Sequence, residues 1–448
     1  MKLMVYSHDA FGLGNIRRML AICDYLLRAI PDLSVLVVSG SPALHSLRLP
    51  KGLDYIKLPC LGRDGSGQVS AKFLKTDLEE TVQLRSDLIL SATKHFKPDV
   101  LLVDKKPYGL MRELEKTLDF LEQSPISTQL VLLLRDILDE PAVTIAQWQR
   151  NGYYEAIAQR YAQVWVVGDA DIFDVRSEYD FPPSVAEKVE FCGYIRRSPG
   201  LQSRDAVRHQ LCVEAHDRLV LVTPGGGADG YQLVDTYLEA IQAKFSSPNA
   251  QSLVEDPTFK SLIVCGYEMP IEQRQAIAEK ALPFTQVEVI EFSDDVLSLM
   301  DAADLVISMG GYNTICEILS LNKRAIVVPR VNPVEEQWIR AERFAQRGWF
   351  HTIHPEQLTP RRLTFTIERA IAPSSNVDSK SRDAPTHSSL DLNALPRMTQ
   401  LMASLMPGMT PIHSSVVYSQ PPSPCLIPPS LQLAISLKPS LNSLKPSF

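Results

Sequence analysis

The chain has 448 residues, of which 45% are hydrophobic and 22% charged, and its formal net charge is −7. This composition is typical of a globular protein of two or three domains. An acidic chain without a basic tract argues against general nucleic-acid binding. The seven cysteines are scattered without a CxxC pair, and no apolar run approaches the ~20 residues that span a bilayer. We therefore expect a cytoplasmic protein with free thiols, no metal site and at most peripheral contact with the inner face of a membrane.

Short, nearly continuous apolar runs alternate along the chain with segments of helical period. Such runs are typical of strands buried on both faces of a parallel sheet. Because strands and helices alternate in two series, we predict two doubly wound, Rossmann-like α/β domains, spanning 1–192 and 193–372. The predicted strands are 2–7, 34–39, 99–104, 129–134 and 163–168 in the first domain and 218–223, 260–265, 286–291, 304–308 and 325–329 in the second.

The composition changes after the second domain. Residues 373–388 are polar and predict a linker, and residues 389–406 predict one further helix. Residues 407–448 contain nine prolines and nine serines, so we expect a disordered tail.

Four unusual loops follow predicted strands, at the positions where doubly wound folds bind their ligands. Glycines in two of them permit close approach of a ligand to the backbone, and the helix starts behind them favour anions. In the third loop a carboxylate one helical turn from the start suits the hydroxyls of a ribose, and in the fourth an acid–amide pair suits the hydroxyls of a sugar. The candidate residues are Gly12 and Gly14 in the first loop, Gly225, Gly226 and Gly227 in the second, Gly310, Gly311, Thr314 and Glu317 in the third, and Glu336 and Gln337 in the fourth.

Each loop also has a purely structural interpretation. The first glycines are equally compatible with a tight turn, and the triple glycine with a flexible connection. A single glutamate on a helix is more often solvated than bound to a ligand. Acidic residues at a helix start are favoured by the helix dipole alone.

The third and fourth loops resemble the donor site of GT-B glycosyltransferases, in particular the family of the lipid II N-acetylglucosaminyltransferase. Gly311, Thr314 and Glu317 match its G-x-x-T-x-x-E motif, and Glu336, Gln337 and Ala341 match part of the following motif. The resemblance implies two domains that face a cleft. It assigns Glu317 to the nucleotide ribose, Glu336 and Gln337 to the donor sugar, and the 225–227 loop to the diphosphate. It also implies that Phe292 and Ser293 contact the base and that Arg197 faces the diphosphate.

The first loop resembles a group of predicted bacterial glycosyltransferases, whose pattern is roughly SHD-x-x-G-L-G-H-x-R-R, and the segment DKKPYG at 104–109 resembles the same group. Three positions depart from these patterns. Asn15, in the expected substrate-binding loop, replaces a histidine, Arg340 replaces an asparagine and Gly227 replaces a serine. Because an asparagine cannot act as a general base, the candidate catalytic residues are His8, Asp9 and Asp104.

The sequence therefore predicts a glycosyltransferase that moves a hexose or N-acetylhexosamine from a nucleotide-diphosphate sugar to an acceptor hydroxyl. The resemblance implies a UDP-linked donor, and we expect neither a metal nor another cofactor. The sequence does not identify the acceptor, which is a glycan, a lipid or a small molecule. Two alternatives stay open, namely a non-hydrolysing UDP-sugar 2-epimerase and a non-catalytic protein that binds nucleotide sugars.

Overall fold

The computed structural model of the protein describes residues 1–8, 14–42, 44, 49–63, 68–125, 127–245, 259–372 and 390–406. These residues form two compact units. The first unit comprises residues 1–196 and 390–406, and the second comprises residues 197–372. The expected linker and tail lie outside the described residues.

The first unit is built on a seven-stranded parallel sheet with the order β3-β2-β1-β6-β7-β8-β9. The middle residues of its central strands are apolar and buried on both faces, as the sequence predicts. A small antiparallel hairpin of β4 and β5 is inserted after β3. The strands are β1 (Lys2–Ser7), β2 (Ser34–Ser39), β3 (Leu53–Lys57), β4 (Leu61–Arg63), β5 (Val69–Ala71), β6 (Val100–Asp104), β7 (Gln129–Arg135), β8 (Gln163–Val167) and β9 (Val189–Phe191).

Helices connect the strands of the first unit, and a later helix is added to it. These are α1 (Gly14–Ala29), α2 (Leu78–Phe96), α3 (Glu115–Gln123), α4 (Pro141–Arg150), α5 (Tyr153–Arg160), α6 (Val175–Glu178), α7 (Pro183–Ala186) and α15 (Ala394–Leu405). Helix α15 packs against α1 and buries Ala394, Met398 and Met402 completely. The segment before α15 is bound to the end of β9, because the Tyr194 N–H donates to the carbonyl of Asp391 at 2.7 Å. The predicted helix at 389–406 is therefore part of the first unit.

The second unit has a six-stranded parallel sheet with the order β12-β11-β10-β13-β14-β15. Its strands are β10 (Arg218–Thr223), β11 (Phe259–Val264), β12 (Val287–Ile290), β13 (Leu305–Ser308), β14 (Ala325–Val327) and β15 (His351–Thr352). Its helices are α8 (Arg204–Gln210), α9 (Tyr231–Phe245), α10 (Ile271–Ala281), α11 (Val296–Ala302), α12 (Tyr312–Ser320), α13 (Glu336–Gln346) and α14 (Pro360–Ile371). A core of aliphatic side chains from β10, β11, β13, α9 and α14 packs on one face of this sheet.

The prediction of two doubly wound domains is confirmed, and each predicted strand is present with bounds within about two residues. The strands that the pattern does not indicate are short or lie at sheet edges. Strand β3, for example, lies at the edge of its sheet, where none of its five residues is fully buried and two are charged. Strand β15 has two residues, too few for any pattern.

Each sheet reverses its strand order at one point. The reversal lies between β1 and β6 in the first unit and between β10 and β13 in the second. In each sheet the chain adds strands outward on one side of this point and then outward on the other side. Such a switch point leaves a crevice beyond the carboxyl ends of the two strands, where doubly wound folds bind ligands. The loops after these four strands contain His8, the segment after Asp104, the 225–227 glycines and the Gly310–Gly311 pair.

No helix within the described residues is long and apolar enough to cross a membrane.

Candidate functional site

The glycine-rich loop after β10 is pressed against the backbone of the loop that follows β11. Gly225 and Gly227 have φ angles of 76° and 93°, in the left-handed region that favours glycine. A Cβ on Gly227 would overlap the carbonyl oxygen of Cys265, and one on Gly226 would lie 2.7 Å from the Glu268 carboxylate. The loop is fixed there because the Glu268 N–H donates to the Gly226 carbonyl at 2.8 Å. The glycines thus have a packing role, and the exposed Gly225 and Gly226 leave backbone open to a ligand.

Gly227 stands where the resembling family has a serine, and the structure gives a physical reason for the replacement. A serine would carry its Cβ into the Cys265 carbonyl and would adopt a φ that L-residues rarely take. The serine hydroxyl of the family motif therefore has no counterpart at this position.

Helix α12 begins directly after Gly310 and Gly311, and its first residues face the glycine-rich loop after β10. The Thr314 Oγ1 atom lies 3.6 Å from the position of a Cβ on Gly225. Glu317 follows one turn later and is half-buried. Gly311, at the helix N-cap, has open space around it and an ordinary extended backbone. The positive end of the helix dipole suits an anion, and the threonine and the carboxylate suit hydroxyl groups.

Arg197 is held at the start of α12, although 116 residues separate it from its partner there. Its Nη2 donates to the Asn313 Oδ1 at 2.8 Å, and its backbone N–H donates to the Ser320 Oγ at 2.9 Å. The Nε atom is buried and has no hydrogen-bond partner among the described residues. The structure thus brings a guanidinium group to the start of α12.

Helix α13 begins with Glu336 and Gln337, both of which are buried. The Glu336 carboxylate lies between two arginines, 3.7 Å from the Arg330 Nη2 and 3.6 Å from the Arg340 Nη2. The Gln337 Oε1 accepts the Arg330 N–H at 3.1 Å. Both predicted sugar-binding side chains are therefore oriented by contacts with Arg330.

Arg340, which replaces the family asparagine, is fully buried and connects the two donor-site loops. Its Nη1 donates to the Gly310 carbonyl at 3.0 Å, and its guanidinium lies 5.7 Å from the centre of the Tyr312 ring. A Cβ on Gly310 would lie 3.0 Å from the Gln337 carbonyl oxygen, so a larger residue would press against this backbone. Arg340 thus contributes to the packing between the loop before α12 and helix α13.

Two donor-side residues were missed by the sequence analysis. Arg330 also forms an ion pair with Asp229 of the glycine-rich loop, at 3.1 Å, and so joins that loop to the start of α13.

Tyr267, the second of these residues, follows β11 and is 66% exposed. Its ring lies edge-to-face with that of the exposed Phe292, at 6.4 Å between ring centres. Ser293 accepts the Asp295 N–H just before α11. A charged residue directly after a buried strand, as in VVPR, is the signal that marks Arg330.

In the first unit, His8 is 6% exposed at the end of β1. Burial, together with the positive charges of Lys105, Lys106 and Arg135, lowers the pKa of His8 well below 6.5. The Asn15 side chain donates to the His8 carbonyl at 2.6 Å and so joins the start of α1 to the end of β1. A neutral buried imidazole is in the protonation state that a general base requires.

Asp104 is already engaged in a buried ion pair. Its Oδ1 accepts the Arg18 Nη2 at 2.6 Å, and its Oδ2 accepts the His8 N–H at 3.4 Å. These contacts connect β6 to β1 and α1, which favours a positioning role over proton transfer. Gly14 is the first residue of α1, and Asp9 and Gly12 lie outside the described residues.

No group of three or more His, Cys, Asp or Glu side chains that could hold a metal ion is present in the described part of the chain. The six cysteines within it are free thiols, of which five are buried.

The two units are Rossmann-type domains of the kind that define the GT-B fold, and proteins of known structure share this fold. The glycosyltransferase of kitacinnamycin is similar in structure, with a TM-score of 0.57 and 15% identity over 91% of this chain and 99% of that chain. The UDP-N-acetylglucosamine 2-epimerase of Methanocaldococcus jannaschii is similar to the same degree, with a TM-score of 0.56 and 12% identity over 90% and 100%. At these identities the likeness shows the fold alone.

Sequence comparison gives a family match that covers most of the second unit. Residues 220–394 match the model of the glycosyltransferase family 28 C-terminal domain. An uncharacterised glycosyltransferase of Methanopyrus kandleri is 28% identical over 207 residues, which are 45% of this chain and 54% of the relative. The UDP-N-acetylglucosamine–N-acetylmuramyl-(pentapeptide) pyrophosphoryl-undecaprenol N-acetylglucosamine transferase of Agrobacterium fabrum is 27% identical over 154 residues, 34% and 40% of the two chains. The matches thus span about half the length of these relatives.

Proposed function

We propose that the protein transfers a hexose or N-acetylhexosamine from a UDP-sugar to an acceptor hydroxyl. The observation that carries the proposal is the construction of the switch point in the second unit. There the exposed glycines, Thr314 and the Asn313-bound Arg197 meet at the start of α12. This set offers N–H groups and a cation to a diphosphate, and hydroxyl and carboxylate groups to a ribose. The family 28 match of this unit and the donor named for the Agrobacterium relative support a UDP-sugar.

In the proposed reaction the second unit holds the donor. Glu317 accepts hydrogen bonds from the ribose, Phe292 and Ser293 contact the base, and Glu336 and Gln337 bind the sugar hydroxyls. Arg197 and the N–H groups at the start of α12 stabilise the charge that develops on the departing diphosphate. These groups supply the stabilisation without a metal ion, so we expect activity to survive chelation. The free thiols are compatible with a cytoplasmic site of action.

His8 is the proposed general base. A buried imidazole that stays neutral can take the proton of the acceptor hydroxyl as the hydroxyl attacks the sugar. Asp104 acts through its contact with the His8 backbone and with Arg18, and so holds the end of β1 in place. Asn15 donates to the His8 carbonyl and takes no part in proton transfer.

The decisive experiment is a calorimetric titration of the full-length protein with UDP and with UDP-N-acetylglucosamine. Removing the carboxylate in Glu317→Ala should weaken the binding of both at least tenfold, because hydrogen bonds to a charged group contribute about 1.5–3 kcal/mol. The matched control is Glu279→Ala, which removes an exposed glutamate of α10. If the wild type binds neither ligand, or if both variants bind equally, the proposed donor site is wrong.

A product analysis separates the proposal from its two alternatives. An epimerase converts the UDP-sugar into its 2-epimer when no acceptor is present, whereas a transferase does not. A non-catalytic binding protein leaves the sugar unchanged under every condition. Release of UDP together with a new glycoside, abolished in His8→Gln without loss of donor binding, would support the assignment of His8.

A further inference from the structure

Two exposed aromatic rings lie side by side at the carboxyl edge of the second sheet. Tyr267 follows β11 and Phe292 follows β12, and because these strands are parallel neighbours, the loops after them emerge at the same edge. The planes of the two rings are inclined at 72°. Phe292 is 47% exposed, less than Tyr267. An edge-to-face contact covers at most one face of a ring, so the more exposed Tyr267 keeps a ring face open to a ligand.

The turn that carries Tyr267 is fixed by its backbone, although the side chain is exposed. The Gly266 N–H donates to the Glu291 carbonyl at 2.9 Å, and the Glu268 N–H donates to the Gly226 carbonyl at 2.8 Å. Gly266 has a φ of 98°, and a Cβ there would lie 2.6 Å from the Gly226 carbonyl oxygen. The turn is therefore held against the glycine-rich loop on one side and against the end of β12 on the other. A ligand that binds to this ring has little of the protein to order.

The order of the loops along this edge matches the order of the groups in a nucleotide sugar, which are base, ribose, diphosphate and sugar. The strand order β12-β11-β10-β13-β14 places Tyr267 and Phe292 on one side of the glycine-rich loop and the start of α13 on the other. Adjacent strands are about 4.8 Å apart, so the loops after β11 and β12 begin roughly 5 and 10 Å from the loop after β10. With the diphosphate at the glycine-rich loop and the sugar at α13, the base end of the donor is directed towards the two rings.

A nucleobase suits this pair of rings better than the polar parts of the donor do. Ribose and sugar hydroxyls need hydrogen-bond partners, and a diphosphate needs cations or N–H groups, none of which an aromatic face supplies. Every nucleobase has a π face, so each can stack on an aromatic side chain. Because the two rings are steeply inclined, a base that stacks on Tyr267 meets Phe292 at its rim.

We propose that Tyr267 is the stacking residue for the nucleobase of the donor, with Phe292 as the second wall of the base site. The inference rests on the proposed function, because it treats the second unit as the donor-binding unit. It adds a residue that none of the sequence motifs marks and gives it a defined task. Tyr267 contributes affinity for nucleotides with little discrimination among bases, since discrimination requires polar groups at the rim of the base.

Calorimetric titrations of the full-length protein with UDP and with pyrophosphate, which lacks the base, test the proposal. Tyr267→Ala removes the ring, whereas Tyr267→Phe keeps it. The matched control is Phe365→Ala, which removes an exposed aromatic ring of α14 in the same unit.

We expect Tyr267→Ala to bind UDP about 5- to 100-fold more weakly than the wild type, because stacking is lost, and to bind pyrophosphate equally well. Tyr267→Phe and Phe365→Ala should bind both ligands as the wild type does. The proposal is overturned by wild-type affinity for UDP in Tyr267→Ala, by equal losses of UDP and pyrophosphate binding, or by an equal loss of UDP binding in Tyr267→Phe. If the wild type binds pyrophosphate too weakly to measure, the difference between the two Tyr267 variants decides.

A panel of nucleoside diphosphates keeps this proposal and the proposed function apart. ADP, GDP, CDP and dTDP are titrated in the same way as UDP. If one of them binds in place of UDP and Tyr267→Ala weakens its binding, the choice of UDP is wrong and the stacking role stands. If the wild type and Tyr267→Ala bind UDP equally, the stacking role is wrong and the donor site stands. If the wild type binds no nucleoside diphosphate, both are wrong.

Discussion

The glycine-rich loop allows a graded test of the donor site, in which alanine is introduced at three glycines of the second unit. At Gly227 an alanine adopts a left-handed φ of 93° and also meets the Cys265 carbonyl and, at 3.1 Å, the Gly266 Cα. At Gly225 only the φ of 76° is unfavourable, because the nearest atom, Thr314 Oγ1, is at an ordinary 3.6 Å. At Gly311 the backbone is extended and no atom lies within 4 Å of the new methyl group.

The magnitudes follow from these geometries. The left-handed conformation costs an L-residue about 1–2 kcal/mol, and overpacking against backbone that cannot move aside adds about 1–3 kcal/mol. We therefore expect Gly227→Ala to lower the free energy of unfolding by about 2–5 kcal/mol and Gly225→Ala by about 1–2 kcal/mol. Gly311→Ala should change it by less than ~0.5 kcal/mol, because the lower entropy of its unfolded chain offsets the weaker helix cap.

Scanning calorimetry of the three variants ranks them by stability. A UDP titration of each variant then measures how the substitution affects the donor site. Gly227→Ala should weaken UDP binding most, because the methyl group forces the loop away from the residues after β11. Gly227→Ser should behave in the same way, even though it restores the family residue. If Gly227→Ala unfolds with the same midpoint as Gly311→Ala, the close contact with Cys265 does not govern this loop and the reasoning is refuted.

Three further predictions concern charged and titratable groups. Arg330→Ala should weaken the binding of UDP-N-acetylglucosamine roughly tenfold and that of UDP hardly at all, because Arg330 orients the predicted sugar-binding residues. An equal loss of affinity for both ligands in parallel titrations would contradict this role. Glu113→Gln should destabilise the protein by about 3–5 kcal/mol in chemical unfolding, because it leaves the buried Arg85 without its ion pair; a loss below ~1 kcal/mol would show that the network relaxes. Because the folded-state pKa of His8 is lowered, protonation below pH 6.5 favours the unfolded chain, so stability should fall as the pH drops below 6.5. In His8→Gln this fall should be smaller, and an unchanged pH profile of the unfolding midpoint would rule out a buried neutral imidazole.

The sequence was sufficient for the sheets and for the loops that follow them, and it failed where contacts join distant segments. A strand such as β6 is recognisable because both of its faces are buried, whereas the half-exposed edge strand β3 has no such pattern. The position of Arg197 depends on a contact with Asn313, and that of Arg330 on contacts with Asp229 and Glu336. No local spacing encodes such pairs. The conformation of the loop after β6 depends likewise on the buried Tyr6, Arg85 and Glu113, which are far apart in the chain.

The return of α15 to the first unit makes that unit discontinuous in the chain, so the second unit is topologically an insertion. During synthesis the ribosome releases residues 197–372 before the helix that covers α1 exists. The apolar strip of α1 that α15 later covers is therefore exposed to solvent or to chaperones until residues 394–405 have been synthesised. A fragment that ends at residue 196 lacks the part of the first unit's core that α15 supplies. Expression of the first unit on its own therefore has to include α15.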